Sequence, residues 1–141
     1  MPEITHGKLI TVSPRVRRIT ANNASRMTGP GTNSYVVGET ELALIDPGPI
    51  DQRHIDAILN LCGDKLRWIC VTHTHRDHSP AAKPIADATG AELVGNIIDN
   101  DGFQDDSFTD ARPLHQDEIL KTDEFTIRAL MTPGHVSNHI C

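Results

Sequence analysis

The sequence predicts a mixed α/β fold, α+β in its layout, with helices on one face of a mixed sheet. Three observations lead there. Short β-rich runs recur along the chain, helical periodicity separates the later ones, and an apolar strand leads directly into a dense group of histidines. The 141 residues suit a single domain, and 38% hydrophobic against 23% charged residues supports a packed core rather than a disordered chain.

Residues 8–12 and 15–20 read as two strands broken at Pro14. Arg15, Arg17 and Arg18 there are expected to form a solvated strand face. After the Gly29-Pro30-Gly31 turn, 33–37 and 41–45 form a hairpin, and Asp46-Pro47-Gly48-Pro49 ends its second strand because proline cannot continue a ladder. Residues 51–62 are expected to be helical, since Ile55, Ile58, Leu59 and Cys62 fall at i, i+3, i+4, i+7, with Gly63 as the stop. Residues 66–71 form a continuous apolar strand. Ser79 as N-cap and Pro80 as first helical residue should open a second helix running to about Thr89, ended by Gly90.

A short strand over 91–95 follows, then an acidic stretch over 96–114. A calcium loop built there around Gly102 would place Ile97 and Phe108 where carboxylates are required, so a solvated acidic loop is expected instead. Residues 118–121 and 124–131 read as a last hairpin.

The chemistry concentrates in His73-Thr74-His75-Arg76-Asp77-His78. Imidazole and carboxylate are the usual ligands of zinc and related ions, and crowding them without an ion costs hydration for no return. His73 and His75 alternate along an extended segment and so point the same way. Asp77 and His78 follow where the backbone turns, aimed at a neighbouring point suited to a second ion. Two histidines leave a zinc site incomplete. His135 is the best third ligand, because Pro133-Gly134 before it can present a side chain from a tight loop. His139 is placed outside this set, and His6, His54 and His115 are read as surface residues.

Four motifs carry a family resemblance. Thr72-His73-Thr74-His75-Arg76-Asp77-His78 resembles the signature of the metallo-β-lactamase fold superfamily, and Leu44-Ile45-Asp46-Pro47-Gly48 its strand-end motif. The segment from Thr132 to His139 resembles its T-P-G-H-T-x-G-H loop. Gly31-Thr32-Asn33-Ser34-Tyr35 is similar to a strand of lactamase-like endoribonucleases and hydroxyacylglutathione hydrolases. Pro80, Ala81, Val136 and Asn138 are minor departures.

The resemblance implies an αββα sandwich with a two-metal centre, usually zinc, with iron or manganese as alternatives. It places His73, His75 and His135 on the first ion and Asp77 and His78 on the second. A metal-activated water would attack a thioester, ester, lactone or phosphodiester, with Asp77 helping to orient it. Asp46 would fix a ligand's orientation, or serve only as a turn residue before Pro47. The family's bridging aspartate and further histidine lie downstream of this loop, so the chain is expected to be the N-terminal half of a longer enzyme. An uncovered sheet face and edge would then favour self-association, and the second ion would bind weakly.

A metal-dependent hydrolase acting on a small-molecule substrate is the leading expectation. A mononuclear iron oxygenase on the same fold and a non-catalytic, oligomerising half-domain are the alternatives. Net charge −6 and 4% aromatic residues disfavour an RNA substrate. The start lacks a secretory pattern, no apolar run has the length of a membrane span, and the three cysteines lack C-x-x-C spacing, so a cytoplasmic setting is expected.

Overall fold

A computed structural model of the chain describes residues 4–99 and 101–141. Met1, Pro2 and Glu3 of the opening segment and Asn100 of the acidic stretch lie outside the described residues. Strands β1 (Ile10–Ser13), β2 (Val16–Thr20), β3 (Asn33–Val37), β4 (Leu42–Ile45), β5 (Leu66–Cys70) and β6 (Glu92–Val94) form one sheet in chain order. The first four are antiparallel neighbours, whereas β4–β5 and β5–β6 are parallel. Parallel neighbours need a crossover. Helices α1 (Gln52–Cys62) and α2 (Ala82–Thr89) supply the two crossovers.

Both faces of β4 and β5 are largely buried, which is why the two strands read as apolar runs apart from the exposed Arg67. Leu42, Leu44, Ile69 and Val71 face the helices and pack with Ile55, Ile58 and Ile85. Ala43, Trp68 and Cys70 point to the other face, against Leu114, Leu120, Ala129 and Ile140. A register shift between Leu42 and Ala43, opposite Leu66 and Trp68, lets Leu66 join the helix side while Trp68 crosses to the other. The second face is covered by a two-stranded hairpin, β7 (Ile119–Lys121) and β8 (Thr126–Arg128). At its tip, the Glu124 carboxylate accepts from the backbone of Glu39 and Thr40 and from the Thr40 hydroxyl, ties that hold it ionised down to about 2. The Arg15 guanidinium donates to the Glu124 carbonyl, and Arg17 donates to Gly38 O at 2.6 Å, so this basic face anchors turns.

Two expectations need correction. Ser79 does not cap α2, which begins at Ala82. The segment before it is spent in tight turns that bond His78 N and Ser79 N back to His75 O, and the buried Ser79 hydroxyl donates to Asp105. Pro84 then falls in the first helical turn, where its missing N–H has no intrahelical partner to lose. The acidic stretch is only partly solvated. Phe108 is 2% exposed in the helix-side core, and Gln104 is 3% exposed beneath the histidine run. Helix α1 ends at Cys62 as expected but starts one residue later, at Gln52, because Asp51 is its extended cap, accepting from Arg53 N at 2.9 Å and His54 N at 3.3 Å. Among the described residues no helix is long and apolar enough to cross a membrane.

Candidate metal centre

The histidine run begins where β5 ends, so the parallel sheet presents it at the carboxyl edge of its strands, where open α/β sheets place ligands. The second loop reaches it through the backbone. Residues on either side of the turn pair as Leu130 with Cys141 and Thr132 with His139, and Ile140 N then donates to Thr72 O at 2.8 Å. Asn138 adds a clamp, donating to Thr74 Oγ1 at 3.2 Å and to Asn96 O at 2.7 Å. These bonds carry His135 over the start of the histidine run.

His73, His75 and His135 converge. One ligand atom from each lies within 4.8 Å of the others, the one such cluster of three among the described residues. Ring centroids stand 4.8 Å apart for His73 and His75, 5.1 Å for His73 and His135 and 5.0 Å for His75 and His135.

The hydrogen bonds fix which nitrogen of His73 is free. Thr72 Oγ1 donates its single proton to Asp46 Oδ2 at 2.8 Å, so at 2.8 Å from His73 Nδ1 it can only accept. His73 is therefore protonated at Nδ1, with the lone pair on Nε2. That Nε2 is buried with no partner, in a residue 4% exposed. Burial, with the nearby His78 and His75 rings, pushes His73 down to about 4 against the pull of Asp46, so the ring is neutral near pH 7. A buried, neutral imidazole with an unmatched lone pair facing two other imidazoles fits a divalent cation. A tetrahedral zinc spaces its nitrogen ligands about 3.3 Å apart, and His135 reaches the cluster from an exposed loop.

Asp77 and His78 form the neighbouring pair, with Asp77 Oδ2 3.4 Å from His78 Nε2. His78 Nδ1 donates to Asp46 Oδ2 at 2.9 Å. Burial pulls the His78 ring down, but hydrogen bonds to Asp46 and Asp77 outweigh it and lift the ring to about 9. The same His78 contact holds the Asp77 carboxyl below its ordinary range. Asp46 ties the groups together, because its Oδ1 accepts from Thr72 N at 2.7 Å while its Oδ2 serves Thr72 and His78.

His139 lies nearer than its exclusion implied. Its ring stacks 5.2 Å from His73, but Nδ1 is engaged with Thr132 Oγ1 at 2.9 Å, and it is outside the converging three. His6 and His115 are exposed, as expected, but His54 is a correction. It is 2% exposed, on the buried stripe of α1 with Ile58 and Cys62. Spacing of i, i+4, i+8 was the signal for it. Gln104 and Asn138, which fasten two loops to Thr74, carried no local signal. Beside the histidines opens a cleft of about 490 Å³, lined by Met27, Phe103 and Arg76 together with His75, His78 and His135.

Residues 27–141 match the model of the metallo-beta-lactamase superfamily. The chain is 30% identical over 134 residues to an atrochrysone carboxyl ACP thioesterase of Aspergillus terreus, covering 92% of this chain and 40% of that protein. It is 33% identical over 145 residues to the lactamase-like protein nscB of Trichophyton rubrum, covering 100% of this chain and 42% of that protein. The chain thus spans about two fifths of these curated relatives. Among solved structures, the metallo-beta-lactamase SMB-1 superposes with a TM-score of 0.77 at 16% identity, over 97% of this chain and 58% of that one. BJP-1 of Bradyrhizobium japonicum superposes with a TM-score of 0.75 at 18% identity, over 97% and 56%. These likenesses establish the same mixed α/β architecture. With most of its length matched by the family model, this chain belongs to the metallo-beta-lactamase superfamily.

Proposed function

We propose that this chain carries the metal centre of a hydrolase that cleaves thioesters with an activated water. The observation that carries this reading is the buried, unpartnered Nε2 of His73 converging with His75 and His135. His73, His75 and His135 would hold one divalent cation, zinc by the chemistry of the donors, and Asp77 and His78 would contribute to a second. Such a cation lowers the pKa of a bound water to about 7 and polarises an acyl carbonyl. Asp46 keeps His78 and Thr72 in place, and Thr72 in turn keeps the proton of His73 off the coordinating nitrogen. Asp77, held ionised beside the cleft, would orient the attacking water. Hydrolysis then places the water's oxygen on the acyl carbon and releases a thiol.

Thioesters are favoured over lactones and phosphodiesters because several similar proteins are named as acyl-carrier-protein thioesterases. The open cleft with exposed Met27 and Phe103 suits an acyl chain rather than a polyanion. The test is zinc-dependent release of thiol from acyl-pantetheine thioesters by protein containing this chain, compared with His73→Ala. A zinc-stimulated rate lost in His73→Ala is expected. Equal rates in both, or cleavage of phosphodiesters alone, would overturn the assignment.

A further inference from the structure

Asp46 does the orienting at this centre from a conformation that its residue type resists. It is 7% exposed and has φ of 51°, in the left-handed region where a side chain other than glycine is strained. Something must hold it there. Its N–H donates to Cys70 O at 2.8 Å, which secures one side of the elbow. The other side is secured from below, by two residues that take no part in the histidine cluster.

Ser34, on β3 and 0% exposed, donates its hydroxyl to Asp46 O at 2.5 Å. With that proton spent, Ser34 Oγ can only accept from His54 Nε2 at 2.9 Å. His54 is therefore the Nε2–H tautomer, and its Nδ1 is buried without a partner. Burial keeps the ring neutral by pushing it below its ordinary value, against the opposing pull of Pro47 and Asp51. The pair also underlies Gly48, where a Cβ would stand 3.1 Å from His54 Nε2 and 3.6 Å from Ser34 Oγ. Gly48 N in turn donates to His78 O at 2.8 Å. The Asp46-Pro47-Gly48 elbow thus grips His78 at both its ring and its backbone, and the elbow rests on Ser34 and His54.

We propose that Ser34 and His54 are positioning residues of the metal centre, a relay that runs from α1 through β3 to Asp46 and from there to Thr72 and His78. Its consequence for metal rests on the functional reading above, but the relay itself can be tested without any ion. In the metal-free chain, Ser34→Ala is expected to speed hydrogen exchange of the Thr72 and Gly48 amides about 10-fold relative to the β5 amides. His54→Leu, which removes the donor at similar volume, is expected to do so about 3-fold. Val36→Ala, in the same strand and on the same buried face, should speed all of these amides together. Ser34→Thr, which keeps the hydroxyl, should restore protection.

In the cobalt-loaded chain, Ser34→Ala should weaken metal binding about 10-fold and change the visible absorption, whereas Val36→Ala should leave the spectrum as it is. Thr72 and Gly48 moving in step with β5 in Ser34→Ala and His54→Leu would overturn the relay. A wild-type chain that takes up no cobalt would instead overturn the metal reading, with the exchange result still deciding the relay.

Discussion

Replacing Thr72 with valine tests the chemistry of His73 without touching a ligand. The substitution keeps the branched shape and removes one hydroxyl. That hydroxyl makes two bonds, donating to the Asp46 carboxylate at 2.8 Å and accepting from His73 Nδ1 at 2.8 Å. The bond to a charged acceptor is worth about 1.5–3 kcal/mol and the neutral one about 1 kcal/mol. Thr72 N still donates to Asp46 Oδ1 at 2.7 Å, and the half-buried site admits some water, so the metal-free chain should lose about 2–3 kcal/mol.

The larger effect is on tautomer. Without its acceptor, the His73 Nδ1–H has nothing to hold it, and the proton can move to Nε2, the nitrogen that faces His75 and His135. Zinc affinity should fall about 10- to 100-fold, the usual range when a metal-binding histidine loses its outer partner. Competition against a chromophoric chelator reads the affinity, and urea unfolding of the metal-free chain reads the stability. Thr72→Ser should retain both properties to within about 3-fold in affinity. Zinc affinity unchanged in Thr72→Val would refute the claim that the hydroxyl sets the His73 tautomer.

Stability of the metal-free chain should peak near pH 6.5. The folded His73 sits at about 4, below its unfolded value, so its contribution is lost as pH falls from 6.5 towards 4. The folded His78 sits at about 9, so its contribution is complete below 6.5 and lost as pH rises through 9. Unfolding free energies from urea titrations after chelator treatment should fall on both sides, by on the order of 1–3 kcal/mol, and a flat profile from pH 5 to 8 would contradict this. One thiol should react rapidly with a disulfide reagent in the native chain and three after unfolding, because burial pushes Cys62 up to about 11 and Cys70 up to about 12 while Cys141 is exposed. Phe108→Ala should cost about 3–5 kcal/mol in thermal or urea unfolding, since it empties a core position. A loss under 1 kcal/mol would show that the acidic loop does not belong to the core.

Much of this was legible in the chain because local patterns and tertiary burial agree there. The apolar run Leu66–Cys70, interrupted only by the exposed Arg67, marked a strand, and the α1 stripe marked one helical face. The converging histidines were legible from spacing alone for His73 and His75, while His135 needed its loop motif. What escaped depends on contacts between distant residues. Ser79 has every local feature of a helix cap, yet its hydroxyl is claimed by Asp105, 26 residues on. Phe108 and Gln104 sit in a stretch whose charge hides their burial. His54 was misread through its polarity, although its spacing with Ile58 and Cys62 placed it inside. The left-handed Asp46 could not be foreseen, because Asp-Pro-Gly is equally at home in an exposed turn.

X-ray absorption on the zinc-loaded chain tests the centre most directly. Three imidazole nitrogens at about 2.0 Å are expected in the wild-type chain, falling to two in His135→Ala with a weaker hold on the ion. An ion whose histidine count is the same in both proteins would show that His135 is not a ligand, and that the triad does not hold the metal.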